Sequence, residues 1–492
     1  MLALFALNSG AAQSNDLRLE LVTSEVASPC AGRPLAFDLA RGPDDSVVLA
    51  WVEQGGDGAQ SLRMAAYSAL RSAWSAPRTI ASSSTLLHPV DGTELTLSAD
   101  EAGRMAVAWV GAAHSGAKGS EVFATLSEDG GATWTKPQML SAPGLSASQP
   151  SFAWRQGGGW LATWLEASGE TGLQVCVREV GQAGILRPEG AVAHRAATTA
   201  IASFPDGTDL IAFRAFRPDE GVDSWAIRRF ENIWQAPQRL GRDGLTGVAP
   251  ARDPIRLSVS PPRIAAAWFT AADDEPRIVV ASSPDAGARW TRASRTDLGH
   301  PVGAPDLVLL SDGSQLVAWI EGSGGDPSLP PGILVRRYSA GGGSVRPAHV
   351  VKDEPGNFPA SPRLAVLRDQ REEPVVLLMA FEQGAASAKL RFLHLRLPSP
   401  TALAQIDTSC NCNTAALPGF PIRGNILSID AVHSRLHIRH DSIPGIFRPG
   451  EIEVQVSAAA IGAVREGRGI MGRIERRDGT WHMSDIRTFV LP

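Results

Sequence analysis

Apolar and polar positions along most of this chain follow a pattern that repeats every ~53 residues, from about residue 30 to residue 398. The clearest repeated element is a short strand of apolar and small residues that ends in Ala-Trp or a near equivalent. Turn residues bound it, which is typical of a strand in a sheet packed on both faces. It occurs as VVLAWVE (47–53), MAVAWVG (105–111), WLATWLE (160–166), DLIAFRA (209–215), IAAAWFT (264–270), QLVAWIE (315–321) and VVLLMAFE (375–382).

Each repeat predicts four strands. They are an inner strand, the Ala-Trp strand, a third strand, and a strand that begins with Trp-x-x-Pro or a degenerate form of it. The last repeat lacks the fourth strand, whereas LRLELVT (17–23), ahead of the first repeat, has strand character. We expect this segment to complete the last sheet, because it would close a ring and remove an exposed edge. The pattern predicts an all-β fold with a seven-bladed β-propeller; a six-bladed one is the alternative.

Two predicted turns contain the spacing S-x-D-x-G-x-x-W. The residues are Ser127, Asp129, Gly131 and Trp134 in one turn, and Ser283, Asp285, Gly287 and Trp290 in the other. Ser and Asp oxygens accept backbone N–H groups, Gly supplies positive φ, and Trp anchors the turn. This spacing resembles the Asp-box of bacterial sialidase-like (BNR-repeat) β-propellers, over residues 15–398. The resemblance implies that the boxes are structural and lie away from the axial face where sialidases bind sugar.

The residues for sialidase catalysis are harder to find. The resemblance implies an arginine trio that holds a carboxylate, a Tyr nucleophile with a Glu partner, and an Asp acid/base. The chain has two tyrosines, Tyr67 and Tyr338, and both fall at the box end of a repeat. The family's Arg-Ile-Pro motif is missing; GRPLAF (32–37) is the nearest stretch. The catalytic residues of an enzyme of this type are therefore unknown.

Charged residues between the strands are candidates for a ligand site at the propeller mouth. Arg214, Arg217, Arg252 and Asp253 would suit an anion or a sugar, with Asp219 and Glu220 nearby; loop salt bridges are the alternative interpretation. The tryptophans that recur in the Ala-Trp strands predict packing between blades rather than sugar stacking, because they repeat with the fold.

The chain changes character after residue 398. A linker rich in small residues, Pro and Asn (399–421) leads to short alternating strands in 422–492, which fit an OB-type barrel. GNILSIDAVHSRLHIRHDSIPGIF (424–447), with a later small-residue helix and a Gly-rich strand, resembles the periplasmic copper-binding OB domain of the Cus efflux system (CusF-like). The resemblance aligns His440 with the family's copper-binding histidine.

The methionines expected beside that histidine are absent. Their positions are held by Gly450 and Ile452, or by Glu451 and Glu453, depending on the register. Cys410 and Cys412 with His440 would make a composite Cu(I) site, since Cu(I) prefers soft sulfur ligands; a disulfide, a tether or bystander thiols are the alternatives. His437 and His440 should point to opposite faces of one strand, whereas His433 would share a face with His437. Met471 and Met483 are expected in the core.

Charge, cysteine content and the N-terminal segment further limit the classes of protein to which this chain could belong. A net charge of −5 without a basic run argues against nucleic-acid binding, and no apolar stretch has transmembrane length. Four cysteines are too few for a disulfide scaffold. Residues 1–14, MLALFALNSGAAQS, resemble the apolar core and cleavage zone of a signal peptide, with a frayed terminus as the alternative.

Together these features predict a periplasmic or secreted, non-catalytic binding protein for a glycan or protein partner, with copper as the one cofactor to consider. A sialidase-superfamily glycan hydrolase is the alternative, and a copper-handling protein is a third hypothesis.

Overall fold

The computed structural model describes residues 22–55, 58–83, 86–87, 95–112, 119–168, 172–189, 192–194, 198–217, 221–245, 254–271, 275–322, 332–339, 347–352, 357–368, 374–384, 388–397, 420–440, 450–477 and 480–489. The chain divides into two compact units, Met1–Ala402 and Leu403–Pro492. Among the described residues, no helix has the length and apolar character needed to cross a membrane.

The described part of the first unit is built from antiparallel sheets in which consecutive strands pair. The first sheet contains β2 (Arg33–Arg41), β3 (Ser46–Gln54), β4 (Gln60–Ser68), β5 (Ala73–Trp74) and β6 (Arg78–Ser83). The second sheet contains β7 (Leu95–Ala99), β8 (Met105–Ala112), β9 (Ser120–Ser127) and β10 (Gln138–Met139), and the third contains β11 (Ala147–Arg155), β12 (Gly159–Ser168), β13 (Gly172–Glu179) and β14 (Val192–His194). The fourth sheet contains β15 (Thr199–Ser203), β16 (Asp209–Arg217), β17 (Gly221–Phe230), β18 (Ile233–Trp234) and β19 (Gln238–Leu245).

Three further sheets follow. The fifth sheet contains β20 (Arg256–Ser260), β21 (Arg263–Thr270), β22 (Arg277–Ser283) and β23 (Ser294–Arg295). The sixth sheet contains β24 (Asp306–Leu309), β25 (Gln315–Glu321), β26 (Gly332–Tyr338) and β27 (Ala348–Lys352). The seventh sheet contains β28 (Asn357–Arg368), β29 (Pro374–Gly384), β30 (Ala388–Arg396) and β1 (Val22–Val26). Each Ala-Trp strand is the second strand of its sheet.

The N-terminal strand completes the seventh sheet, as the sequence predicts. β1 pairs with β30 from Val22 opposite Arg396 to Val26 opposite Phe392. Of the expected segment, residues 22 and 23 are described, and residues 17–21 lie outside the described part. In the first and fourth sheets the predicted fourth strand is divided in two, and Pro77 and Pro237 stand at the breaks. Proline has no N–H for the ladder, which explains the interruption.

The sheets follow one another around a closed circle. Apolar clusters join each sheet to the next, and one more cluster joins the seventh sheet to the first. The recurring tryptophans belong to these clusters, so the expected packing between sheets is confirmed for Trp51, Trp109, Trp164, Trp268 and Trp319. Sheets arranged radially in this way form a β-propeller.

The second unit contains a closed barrel with the strand order β31-β32-β33-β35-β34. The strands are β31 (Phe420–Asp430), β32 (Arg435–His440), β33 (Gly450–Gln455), β34 (Gly469–Arg477) and β35 (Thr480–Phe489), and a short helix, α1 (Ala458–Ala463), precedes β34. Ser457 caps α1 by accepting the N–H of Ala460. Met483 is buried in the core, as expected; the side chain of Met471 lies outside the description.

Candidate functional site

The two predicted Asp-box turns share one hydrogen-bond geometry. In the turn after β9, Ser127 Oγ accepts the N–H of Gly131 and donates to Asp129, both at 2.9 Å. Asp129 also accepts from the hydroxyl and N–H of Thr133, at 2.6 and 2.8 Å. These bonds, those from Thr133 first, lower the pKa of Asp129 to about 2. The turn after β22 repeats the Ser–Asp and Gly–Ser bonds at 2.9 Å, through Ser283, Asp285 and Gly287.

The box tryptophans and glycines pack against the preceding sheet. Trp134 lies against the cluster of the first two sheets, and Trp290 against that of the fourth and fifth. Gly131 has φ +80°, and a Cβ there would overlap Met64 Sδ in β4. Gly287 has φ +79°, and a Cβ there would overlap Leu210 in β16. The box glycine is therefore a contact between sheets as well as a turn residue.

Gly131→Ala is expected to destabilise the protein more than Gly130→Ala. Both glycines have positive φ, but nothing lies within 4 Å of a Cβ built on Gly130. Gly130→Ala should therefore cost only the backbone strain, roughly 1–2 kcal/mol, and Gly131→Ala should add about 1–3 kcal/mol of overpacking. Urea unfolding midpoints measure the difference. Equal losses would mean that Met64 moves aside at no cost.

Polar side chains lie at one level on several inner strands. Asp38, Ser151, Arg256 and Asp306 stand opposite the residue that precedes the buried Trp of the second strand. Asp38, Ser151 and Asp306 accept a backbone N–H from the inner strand of the next sheet, at 2.9, 3.2 and 2.7 Å. Asp38 and Ser151 lie in the middle of β2 and β11, whereas Arg256 and Asp306 begin the shorter strands β20 and β24. This level is therefore about midway along the longer inner strands. We call the end of the ring at which the chain enters the inner strands the entry end.

The charged members of this level, Asp38, Arg256 and Asp306, form a cluster with Arg363 of β28, and we call these four residues the axial cluster. Arg363 Nε lies 3.3 Å from Asp38 Oδ1, and this ion pair joins the seventh sheet to the first. Burial raises the pKa of Asp306, although Arg256 and Arg363 oppose the rise. Burial and the charge of Arg256 lower the pKa of Arg363 to about 10. The axial cluster thus contains two acidic and two basic side chains in a region that is largely shielded from water.

A second set of carboxylates lies at the entry end, each two residues after a buried Trp. Glu53, Glu166 and Glu321 accept the indole N–H of Trp51, Trp164 and Trp319 at 3.0, 3.0 and 2.7 Å. The same carboxylates accept the backbone N–H of Gly32, Ala142 and His300, which lie on the connections into inner strands. Trp268 instead donates its indole N–H to Asp243, at 3.0 Å. The carboxylates therefore attach these connections to the sheets.

Electrostatics agrees with that role. Burial by itself would raise the pKa of Glu53, but the hydrogen bonds from Trp51 and Gly32 outweigh it and hold the pKa below its usual range. Glu166 behaves in the same way through Ala142 and Trp164. Glu53 and Glu166 therefore remain ionised and hydrogen-bonded. The repeated Trp-x-Glu in the sequence signalled them, although the sequence reasoning used only the Trp.

Both tyrosines are buried between sheets. Tyr67, near the end of β4, is fully buried and packs with residues of the seventh sheet. Tyr338 ends β26, is 9% exposed, and donates from its hydroxyl to Thr296 at 2.5 Å. Neither phenol is presented at the protein surface.

Of the predicted ligand-binding residues, only Arg214 has a described side chain. Arg214 lies in β16, is fully buried, and donates to the carbonyl of Phe269 in the neighbouring sheet. Arg217 ends β16, but its side chain lies outside the description, as do Arg252 and Asp253 with Asp219 and Glu220. The predicted site therefore stays a prediction. The sequence reasoning missed the axial cluster; its signal was a charged residue within a mostly apolar inner strand.

The predicted metal residues are only partly described. His440 ends β32 and is 4% exposed, whereas His437 is half-exposed 3.4 Å from Glu451, so their opposite orientation is confirmed. His433 is exposed and lies 2.7 Å from Asp430. Cys410 and Cys412 are outside the described residues. Within the described ranges, no group of three or more His, Cys, Asp or Glu side chains is arranged to hold a metal ion.

Cys30 and Cys176 are free thiols, each beside one of the entry-end carboxylates. Cys176 Sγ lies 3.2 Å from Glu166, and Cys30 Sγ 3.5 Å from Glu53. Burial and the charge of Glu53 raise the pKa of Cys30 to about 12, and the pKa of Cys176 is also raised. Neither thiol forms the thiolate that nucleophilic or redox chemistry requires.

Comparison with known proteins finds likeness in structure alone. No family model and no curated protein sequence matches the chain. Similar solved structures include a protein of unknown function from Dyadobacter fermentans (15% identity, 78% of this chain and 99% of that chain, TM-score 0.43) and the Hadza microbial sialidase Hz136 (12%, 75% and 66%, TM-score 0.42). Another is AofleA from Arthrobotrys oligospora (12%, 68% and 91%, TM-score 0.39).

Proposed function

We propose that the sheets of the first unit are the blades of a seven-bladed, sialidase-like propeller spanning residues 15–398. The closed circle of clusters that joins the sheets supports this count, and the two Asp-boxes support the sialidase-like type. We also propose that residues 422–492, after the linker 399–421, form an OB-type barrel. Its support is the strand order, the parallel pairing of β33 with β35, and the helix between β33 and β34.

For the whole protein we propose a non-catalytic binding role outside the cytoplasm, in the periplasm or after secretion. One observation carries the non-catalytic part: the chain has two tyrosines, and both phenols are buried between sheets. A sialidase-type nucleophile must reach the anomeric carbon of a bound sugar. The signal-peptide-like residues 1–14 support export.

The ligand site that we propose lies at the entry end, beside the axial cluster. Arg256 is partly buried, and its Nε has no hydrogen-bond partner among the described residues. Arg252 and Asp253 come four and three residues before Arg256, at which β20 begins. A partly exposed guanidinium suits an acidic group of a glycan or of a protein partner, and two further charged residues lie close to it in sequence.

A glycan array and a hydrolysis assay test this role. The wild-type protein should retain acidic glycans without releasing product from a fluorogenic α-sialoside. Arg256→Met should reduce retention at least tenfold. The matched control is Arg263→Met, because Arg263 is exposed at the other end of the β20–β21 hairpin. Sialoside hydrolysis would favour the alternative, a glycan hydrolase of the sialidase superfamily.

Copper handling is the second candidate. The observation that favours it is a buried histidine, His440, at the end of β32, adjoining the segment aligned with the copper-binding loop. His440, Cys410 and Cys412 would bind Cu(I). A competition titration with a Cu(I) chelator should show one ion per protein, lost in His440→Ala and in the double variant Cys410→Ser/Cys412→Ser. His433→Ala serves as the control, since His433 is exposed.

A further inference from the structure

At two junctions of the ring, one inner strand contributes an arginine and the inner strand of the next sheet contributes an aspartate. Where the seventh sheet meets the first, Arg363 Nε of β28 lies 3.3 Å from Asp38 Oδ1 of β2. Where the fifth sheet meets the sixth, Arg256 begins β20 and Asp306 begins β24. Arg256 Nε has no hydrogen-bond partner among the described residues. The first pair is therefore closed, whereas the second arginine is not bound through its Nε.

Packing between β20 and β24 places Asp306 near Arg256. The two strands are in contact, and Ser258 Oγ accepts the N–H of Leu309 at 2.9 Å. Ser258 comes two residues after Arg256, and Leu309 comes three residues after Asp306, so this bond aligns the starts of the two strands. The charges of Arg256 and Asp306 interact across this junction.

The carboxyl group of Asp306 has an unusual environment for a titrating group. Asp306 is 8% exposed and accepts the N–H of Leu364 at 2.7 Å. Burial raises its pKa; the charges of Arg256 and Arg363 and the bond from Leu364 oppose this rise, and the charge of Asp38 adds to it. Asp306 therefore takes up its proton at a higher pH than an exposed aspartate, whose pKa is about 3.9.

The other charged residues of the strands that pack against β24 are placed differently. β24 also contacts β21 and β25. Arg263 of β21 is exposed at the far end of its hairpin with β20. Glu321 of β25 accepts the N–H groups of Trp319 and His300. His300 is exposed on the connection that leads to β24, so a test of pH dependence has to separate it from Asp306.

We propose that protonation of Asp306 controls the affinity of Arg256 for an acidic ligand. This inference rests on the ligand site proposed above. The ionised carboxylate attracts the guanidinium and repels an anionic ligand, whereas the neutral acid leaves the guanidinium charge uncompensated. By linkage, a ligand that raises the pKa of Asp306 by one unit binds about tenfold more tightly to the protonated form than to the ionised form. Affinity for acidic glycans therefore rises as the pH falls.

Retention of sialylated and sulfated glycans on an array at about pH 8, 7, 6 and 5 tests the proposal, because these acidic groups stay ionised while Asp306 titrates. Wild-type retention should increase about tenfold towards the lowest pH. Asp306→Asn imitates the neutral acid, and its amide oxygen can still accept the N–H of Leu364. This variant should bind at the highest pH as strongly as the wild type binds at the lowest, and its retention should not depend on pH.

Two control variants should keep the pH dependence of the wild type. Asp312→Asn is the matched control, because Asp312 lies in the turn at the other end of the β24–β25 hairpin. His300→Ala removes the exposed histidine. If His300→Ala abolishes the pH dependence and Asp306→Asn leaves it unchanged, the proposal is overturned.

The remaining outcomes separate this inference from the proposed function. Retention that is the same at every pH would overturn the inference and leave the binding role intact, whereas no retention at any pH would overturn both. Isothermal titration calorimetry of the wild-type protein with a retained glycan requires no variant. In two buffers of different ionisation enthalpy, binding should be accompanied by proton uptake, and binding without it would also overturn the inference.

Discussion

Deletion of residues 1–26 is expected to abolish cooperative folding of the propeller. The deletion removes β1, which pairs with β30 over five residue pairs and contributes Val26 to the cluster between the first and seventh sheets. Ladder hydrogen bonds at roughly 1 kcal/mol each, with the lost apolar burial, give a cost on the order of 5 kcal/mol. That is a large share of a typical folding free energy. Thermal unfolding followed by circular dichroism measures the loss.

The exposed edge of β30 adds a second effect. An unpaired strand edge is a template for association with another chain, so the deleted protein should elute as aggregates in size-exclusion chromatography. Deletion of residues 1–21 is the control, because it leaves β1 complete. Glu25→Ala should also be mild, since it removes only the exposed pair with Arg391. A monomeric, cooperatively unfolding 1–26 deletion would contradict closure by β1.

Substitution of Arg363 by Met is the second change with a large expected effect. Arg363 and Asp38 are about nine-tenths buried and lie 3.3 Å apart at the junction of the last and first sheets. Removing the guanidinium leaves the Asp38 carboxylate buried without its cation, which costs about 3–5 kcal/mol. Equilibrium denaturation in urea measures the loss of unfolding free energy.

A double-mutant cycle separates the pair from other effects. Arg363→Met/Asp38→Asn should recover much of the stability, because it leaves no unpaired charge and the amide oxygen can still accept the N–H of Leu97. The control is Arg391→Met on β30, whose pair with the largely exposed Glu25 should contribute at most about 1 kcal/mol. If Arg363→Met costs no more than this control, the buried ion pair does not hold the ring closed.

The local features of the fold were predictable from the sequence. A strand that packs on both faces needs apolar and small residues in succession, so the Ala-Trp strands were visible. The Asp-box depends on contacts within a few residues, and the geometry of Ser127, Asp129 and Gly131 agrees with its spacing. Pairing of the N-terminal segment with the last sheet followed from an unmatched edge, and the described pairing runs from Val22 to Val26.

The site was much less predictable. Arg214 is a predicted ligand contact because it is charged and was placed between strands, yet it lies within β16, and its side chain is buried and donates to Phe269 of another sheet. The repeated Trp-x-Glu marks Glu53 and Glu166 in the sequence, but it does not reveal their backbone partners Gly32 and Ala142, which lie outside the same strand. Neither the burial of these side chains nor the identity of their distant hydrogen-bond partners can be read from the residues that surround them in sequence.

The sequence by itself determined the repeat, the strand order within each sheet, the Asp-box turns and the separate C-terminal unit, because each depends on residues close together in the chain. Tertiary structure alone decided which charges meet. Asp38 and Arg363 are 325 residues apart and become neighbours only when the circle of sheets closes. The axial cluster draws its members from several inner strands in the same way, since it is the ring that brings those strands to a common axis.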